Sequence, residues 1–366
     1  MTYLKILYFV SFIFVINGCN LSKQSNIDTI NIKDQLFNTM TCKVSEFADS
    51  ISYIFLETNN NCLLPDNSSI LYIDDKDVFI RGGNYLYRFD RKGLFANRIG
   101  KVGGGPEEYP QLYNVGVDFN KNYVLMLAPP GNVYIYDYEG IFIKKLKLNN
   151  NAQTILYTNN NTFACVVNQY NDVNATFFNV YDYDENLIQQ LLLETDSYNF
   201  ERSRISTPIL YDTEDQIKIK FLFNDTIVRF SNGETSFSQV LSTGKYRPNR
   251  DQIEDMNKNE DLMRHYLQIV DIIETDGYMF LLSIWKSKTF GIVYYKTDNK
   301  FLYSNYIDNL KQGGGIENNL TNYGRFWPMK AIKGKKEIAQ LIHPHNAGIT
   351  HMDIDSNPVI QIVHLK

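Results

Sequence analysis

From residue 50 to the C-terminus, apolar and polar residues alternate in runs of four to eight, separated by clusters of Asn, Asp and Gly. A period of two marks strands that turn one face toward a core. The runs fall in sets of four. The first set covers 70–73, 78–81, 85–90 and 95–99; the second covers 113–118, 123–128, 133–137 and 142–148. The two align internally, Y-L-Y-R-F-D-R-K-G-L-F with V-Y-I-Y-D-Y-E-G-I-F. In each, an alternating strand ends in a turn whose Asp and Gly supply side-chain hydrogen bonds and a permitted positive φ. Three further sets follow, at 155–157, 163–168, 177–182 and 187–193; at 205–210, 217–221, 225–230 and 236–241; and at 268–274, 278–284, 291–296 and 301–304. A sixth, 325–332, 337–342 and 359–365, is one strand short. The unpartnered run 50–58, S-I-S-Y-I-F-L-E-T, supplies that strand beside 359–365. Four strands recurring every 40 to 60 residues or so is the signature of propeller blades. The expected fold is therefore all-β: a six-bladed β-propeller of four-stranded antiparallel blades, closed by the N- and C-terminal strands so that no sheet edge is left open at the seam. Residues 248–266 form the one helical stretch, with Ile253, Met256, Leu262 and Met263 near helical spacing, inserted before the fifth blade.

The N-terminus obeys a different pattern. Lys5 precedes an almost continuous apolar run, 6–16, of eleven residues. A membrane-spanning helix needs about 20, so the run has the length of a secretory leader core. It ends in I-N-G-C, Ile16 to Cys19, which resembles the lipobox of bacterial lipoproteins: an aliphatic residue, a tolerant position, a small residue and the Cys whose sulfur takes diacylglycerol. Asn17 is the less usual choice at its position. The expected organisation is a lipoprotein signal peptide over 1–18, a lipid-bearing Cys19 beginning a tether over 19–43, and the propeller over 44–366. The implied location is the cell envelope, lipid-anchored in the outer membrane, with the membrane face left open.

Composition narrows the function classes. Net charge is −5, and Lys and Arg are scattered without a basic run, so the chain carries no field suited to nucleic acid. Aromatic residues reach 14%, with 26 Tyr and 23 Phe, which favours strands. Export permits disulfides. Cys42 and Cys62 are the only nearby pair, and the sequence leaves open whether they are bridged. Cys165, in T-F-A-C-V-V, reads as a buried strand residue. There is no C-x-x-C and no cofactor fingerprint.

Several segments together resemble the six-bladed β-propeller lipoproteins of bacteria, an NHL-repeat-like group. They are R-F-D-R-K-G-L-F-A-N-R-I-G-K-V-G-G-G-P-E-E-Y from Arg88 to Tyr109, F-N-D-T-I-V-R-F from Phe223 to Phe230, the run 50–58, and the ending D-S-N-P-V-I-Q-I-V-H-L-K. The resemblance covers 44–366. It implies the propeller fold and the lipoprotein habit, and no settled activity.

Candidate site residues are few. Gly103 to Tyr109 is a Gly-rich loop between strands, without the helix N-terminus and Lys of a phosphate cradle. Its functional reading places Glu108 and Tyr109 before a ligand; its plain reading is a connector between blades. Trp327, after Arg325 and Phe326, is one of only two Trp, and either stacks a ligand near the channel or packs a blade. His343, His345 and His351 fall in H-P-H-N-A-G-I-T-H, but a Pro between two of them does not favour the convergence a metal needs, and no metal is expected. No Ser/His/Asp order or paired-carboxylate motif stands out. The expected function is a non-catalytic module binding an envelope protein or a carbohydrate or peptide ligand. The alternative is an extracytoplasmic hydrolase or lyase using the central channel, since propeller sites draw single residues from several blades.

Overall fold

The computed structural model describes residues 28–32, 42–148, 151–158, 161–170, 174–193, 208–213, 216–304, 314–321, 323–348, 353 and 355–366. The expected signal peptide 1–18, Cys19, most of the expected tether and His351 lie outside the described residues. Six four-stranded antiparallel blades form a ring, a six-bladed β-propeller. Blade 1 is Ser69–Ile73, Asp77–Gly82, Tyr85–Asp90 and Phe95–Ile99; blade 2 is Asn114–Asp118, Tyr123–Ala128, Asn132–Asp137 and Phe142–Lys147. Blade 3 is Ala152–Thr158, Thr162–Tyr170, Asn174–Asp182 and Leu187–Leu193; blade 4 is Ile209–Thr213, Gln216–Lys220, Thr226–Ser231 and Glu234–Ser242. Blade 5 is Gln268–Glu274, Tyr278–Trp285, Lys288–Tyr295 and Lys300–Ser304. Blade 6 joins Lys330–Ala331, Glu337–Ile342 and Val359–Leu365 to Ala48–Phe55.

Position in the blade explains each strand's pattern. Second strands lie between two neighbouring blades and are buried on both faces, hence the unbroken V-L-M-L-A of blade 2. Outermost strands alternate: F-I-K-K-L-K in blade 2 buries Leu146 and exposes Ile143, Lys145 and Lys147. The turns before them repeat one device. Asp90 Oδ1 accepts from the Lys92 and Leu94 N–H, Asp137 Oδ1 from Ile141 N–H, and Asp182 Oδ1 from Asp184 and Asn186 N–H. Gly93 (φ 88°) and Gly140 (φ 83°) take the left-handed position, where only Gly avoids strain. A Cβ on Gly93 would also lie 2.0 Å from the Phe55 carbonyl oxygen, where the closing strand passes blade 1.

The closing pair forms as expected: Ala48–Phe55 runs antiparallel to Val359–Leu365, with Ile51 opposite Val363. Three boundaries differ from expectation. The inner strand of blade 6 is only Lys330–Ala331; Arg325–Phe326 pairs instead with Ile316–Glu317. Pro328 separates them, lacking an N–H and disfavouring α geometry before it. The Trp327 N–H donates to Gln340 Oε1 at 2.9 Å, a side chain in place of a ladder partner. In blade 4 the inner strand, expected over 205–210, runs on to Thr213 from Ile209, because its polar end, Y-D-T, faces the channel and masks the apolar pattern; residues 205–207 lie outside the described residues.

The third difference corrects the tether. Asp28–Asn31 is a fifth, parallel strand on the outer edge of blade 4, Asp28 opposite Gln239 and Ile30 opposite Leu241. Ile30 and Ile32 are buried among Leu241, Leu267 and Tyr303. The alternation in D-T-I-N-I is a strand signal in its own right. The helical insertion is Arg250–Lys258, capped by Asn249 and Gln252 in a reciprocal capping box, with Ile253 and Met256 buried beside Phe223. Cys42, Cys62 and Cys165 are all buried free thiols, and Cys42 and Cys62 belong to different core clusters.

At the end of the second strand of blade 4, Lys220 is 2% exposed, and its ammonium donates to the Phe221 and Leu222 carbonyls. Burial pulls its pKa down to about 8. The unfolded chain therefore binds a proton that the folded one releases between pH 8 and 10.5, and stability rises with pH across that window. The gain is on the order of 3 kcal/mol. Lys220→Met removes it. Urea melts of both proteins at pH 7.5 and 10 check this, since other titrations cancel in the difference. Parallel pH trends would contradict a buried amine with a depressed pKa.

Candidate binding site

In a propeller the first strand of every blade lines the axis, and here the ends of those strands converge on two adjoining cavities of about 300 and 800 Å³. Both are bordered by Leu71, Asp212, Thr213, Gln216, Lys330 and Lys333. The smaller has an aromatic wall built from three blades. Tyr72 and Phe119 lie nearly parallel, with centroids 6.1 Å apart and planes 6° apart. Tyr157 meets Phe119 edge-on at 5.1 Å, and its hydroxyl accepts from Asn120 Nδ2 at 2.6 Å. Lys333, from the first turn of blade 6, holds its ammonium 4.1 Å from the Phe119 centroid, within cation–π range.

Opposite the aromatic wall is a charged one. Lys330 Nζ lies 2.9 Å from Asp212 Oδ1, and this ammonium holds the Asp212 carboxyl below its usual range. Asp212 stays open to the channel while protein surrounds it. Asp271, nearby on blade 5, is pushed the other way by burial, against a backbone hydrogen bond from Ile272 and the pull of Lys330. Deeper in the larger cavity, Glu274 receives Lys218 at 2.7 and 2.8 Å and Lys296 at 2.7 Å. Burial opposes its charge, but the two ammonium groups outweigh burial and keep the carboxyl low. Burial likewise lowers the Lys218 pKa. Apart from Asp271, these channel carboxylates are neutralised in place. Such an arrangement makes a rigid polar wall facing an aromatic one, suited to gripping a small polar ligand with an apolar face.

The residues expected from sequence sit elsewhere. Glu108 folds back on its own loop, accepting from Gly105 N–H at 3.0 Å and pairing with Lys101 at 2.5 Å; Lys101, then the Gly105 N–H, keep its carboxyl low. A Cβ on Gly103 would fall 2.0 Å from the Glu108 carboxylate, so that glycine makes room for the fold-back. Tyr109 is fully buried beside Tyr134 and Tyr136, its hydroxyl donating to the Asn84 carbonyl at 2.9 Å. The Gly-rich loop is thus a blade connector. Trp327 is 2% exposed and packs edge-on against Phe280 at 6.2 Å. Arg325 is exposed and donates to the Gly315 carbonyl at 3.3 Å. None of the four borders either cavity. His343 follows the strand Glu337–Ile342 at the N-cap of the short helix Pro344–Ala347, which contains His345. Among the described residues no group of three His, Cys, Asp or Glu could hold a metal ion.

The cavity residues Tyr72, Phe119, Tyr157, Asp212, Lys330 and Lys333 escaped sequence reasoning because they come singly or, for the two lysines, as a pair from five different blades. Their shared signal is positional: all lie near the end of a first strand or in the turn after it.

The model of one family, described as a domain of unknown function, DUF4934, matches residues 27–364. The chain belongs to this family. The match begins one residue before Asp28, so the docked N-terminal strand is part of the family's unit. No curated protein matches the sequence. Among solved structures, a Bacteroides fragilis protein described as exported is similar over 90% of this chain and 97% of its own, with a TM-score of 0.69 at 18% identity. A member of the DUF4221 family from Bacteroides vulgatus is similar over 87% of this chain and 97% of its own, with a TM-score of 0.53 at 11% identity. At these identities the likenesses concern the fold.

Proposed function

We propose that this protein is an extracytoplasmic, lipid-anchored binding propeller that takes a small carbohydrate or peptide ligand in the mouth of its central channel. The observation that carries the reading is the convergence of the Tyr72–Phe119–Tyr157 wall and the Lys330–Asp212 pair on one cavity. Aromatic faces bind the apolar face of a sugar or side chain, and the fixed charges orient its polar groups.

The test is calorimetric titration with a panel of oligosaccharides and short peptides. Phe119→Ala is expected to weaken the best ligand at least tenfold while leaving the melting temperature within a few degrees, because Phe119 sits in a turn at the cavity edge. A ligand bound equally well by the variant would move the site out of the channel. The hydrolase or lyase alternative draws on one observation, the raised carboxyl of Asp271 beside Lys330. Asp271→Asn separates the two: an enzyme loses turnover and keeps binding.

Export and anchoring rest on the apolar run ending at Ile16 and on I-N-G-C. They also agree with the description of the Bacteroides fragilis protein as exported. Cys19→Ala is expected to shift the protein from the membrane fraction to the soluble extracytoplasmic fraction. Equal membrane association of both forms would remove the anchor.

A further inference from the structure

Of the eleven large apolar side chains exposed among the described residues, six lie at or on the outermost strands of three adjacent blades, and the other five, Leu94 of blade 1 among them, lie elsewhere. Ile141 (61% exposed) and Ile143 (40%) lie at the start of the outermost strand of blade 2, Ile188 (58%) and Leu192 (57%) on that of blade 3, and Phe237 (65%) on that of blade 4. Ile141 and Ile188 directly follow the turns between third and fourth strands, so they project from the same end of the ring; Phe237 follows the equivalent turn by three residues. The corner is continuous. Lys144 of blade 2 reaches the Tyr183 carbonyl and Asp184 in the turn of blade 3, and Gln189 Nε2 of blade 3 donates to the Gly233 carbonyl in the turn of blade 4 at 2.7 Å. The outer strands of three adjacent blades therefore adjoin, and exposed apolar side chains recur along them, of the kind that marks a contact surface.

The N-terminal strand indicates what meets this surface. Asp28–Asn31 runs parallel to Glu234–Ser242, so the chain enters blade 4 from the end where the turns and Phe237 lie. Eight residues lie between Cys19 and Asp28, a reach of at most about 30 Å. We propose that this corner of blades 2 to 4 docks on the bilayer surface, inserting Ile141, Ile188 and Phe237 among the headgroups, with the lipid on Cys19 as its tether. The inference rests on the anchor reading. Glu139, Asp184 and Glu185 share the arc with Lys144, Lys145 and Lys147, so insertion of apolar side chains rather than net charge drives the contact, and zwitterionic lipid suffices. Ile188 also borders the smaller cavity, so the contact places the mouth of that cavity beside the bilayer.

The test uses the mature lipidated protein in phosphatidylcholine vesicles, with a nitroxide at one position in turn: Ile188→Cys, Phe237→Cys, or Tyr85→Cys, which begins the third strand of blade 1 at the opposite end of the ring. The native cysteines 42, 62 and 165 are buried and take no label. The expected result is a ratio of oxygen to nickel-chelate collisions at 188 and 237 at least threefold that at 85. In a protein that floats with the vesicles, equal ratios at the three positions would overturn the docking and leave the anchor standing. A protein that fails to float would overturn both. Labels at 188 or 237 shielded from both collision partners, with mutual spin broadening, would assign the surface to a second copy instead.

Discussion

Removal of the last strand, Val359 to Lys366, is expected to abolish cooperative folding. That strand is paired on both sides, to Glu337–Ile342 and to Ala48–Phe55. It buries Val359, Ile360, Ile362, Val363 and Leu365. At about 1.5–3 kcal/mol for each large apolar side chain, the loss matches or exceeds the 5–15 kcal/mol or so that a native domain holds in reserve. It also detaches the N-terminal strand and opens two edges at the seam of the ring, where aggregation follows. Near-ultraviolet circular dichroism and dye binding report the result: lost aromatic ellipticity and exposed apolar surface. A truncated protein that stays monomeric and unfolds cooperatively would show that the ring does not depend on this closure.

Glu274→Ala is expected to destabilise the protein by about 3–5 kcal/mol, the range for breaking a buried ion pair by deleting one partner. Glu274 and Lys218 have side chains 4% and 8% exposed. Without the carboxylate, the buried Lys218 ammonium is left with Lys296 as a like-charged neighbour. The penalty belongs to the orphaned charge, so a second substitution should relieve it: Glu274→Leu combined with Lys218→Met is expected to recover most of the loss. Urea unfolding of the single and double variants measures both terms. Equal stability of single and double variants would show that Lys218 finds water in the cavity and that the cluster is not a closed electrostatic unit.

The two predictions draw on different kinds of information. The seam was legible in the chain, because the run at 50–58 had no partner and the last set of strands lacked one. The Glu274 cluster was not. Lys218, Glu274 and Lys296 sit on two blades, and in their strands each reads as an ordinary polar position.

Local and repeated features followed from the sequence alone. A side-chain period of two, turns of Asp and Gly at fixed offsets, and largely buried second strands are consequences of backbone geometry and burial within one blade, so they recur from blade to blade. That determined the blades, their number and the closure. Where one side chain replaced a backbone partner, as Gln340 does for Trp327, the pattern misled. The D-T-I-N-I segment carried a strand signal, but its place on blade 4 depended on an edge formed more than two hundred residues later. Only the tertiary structure decided that Tyr109 and Trp327 are packing residues and that Tyr72, Phe119, Tyr157, Asp212, Lys330 and Lys333 meet. The physical reason is that ring closure brings together strand ends from every blade, at sequence separations that no local propensity or spacing records.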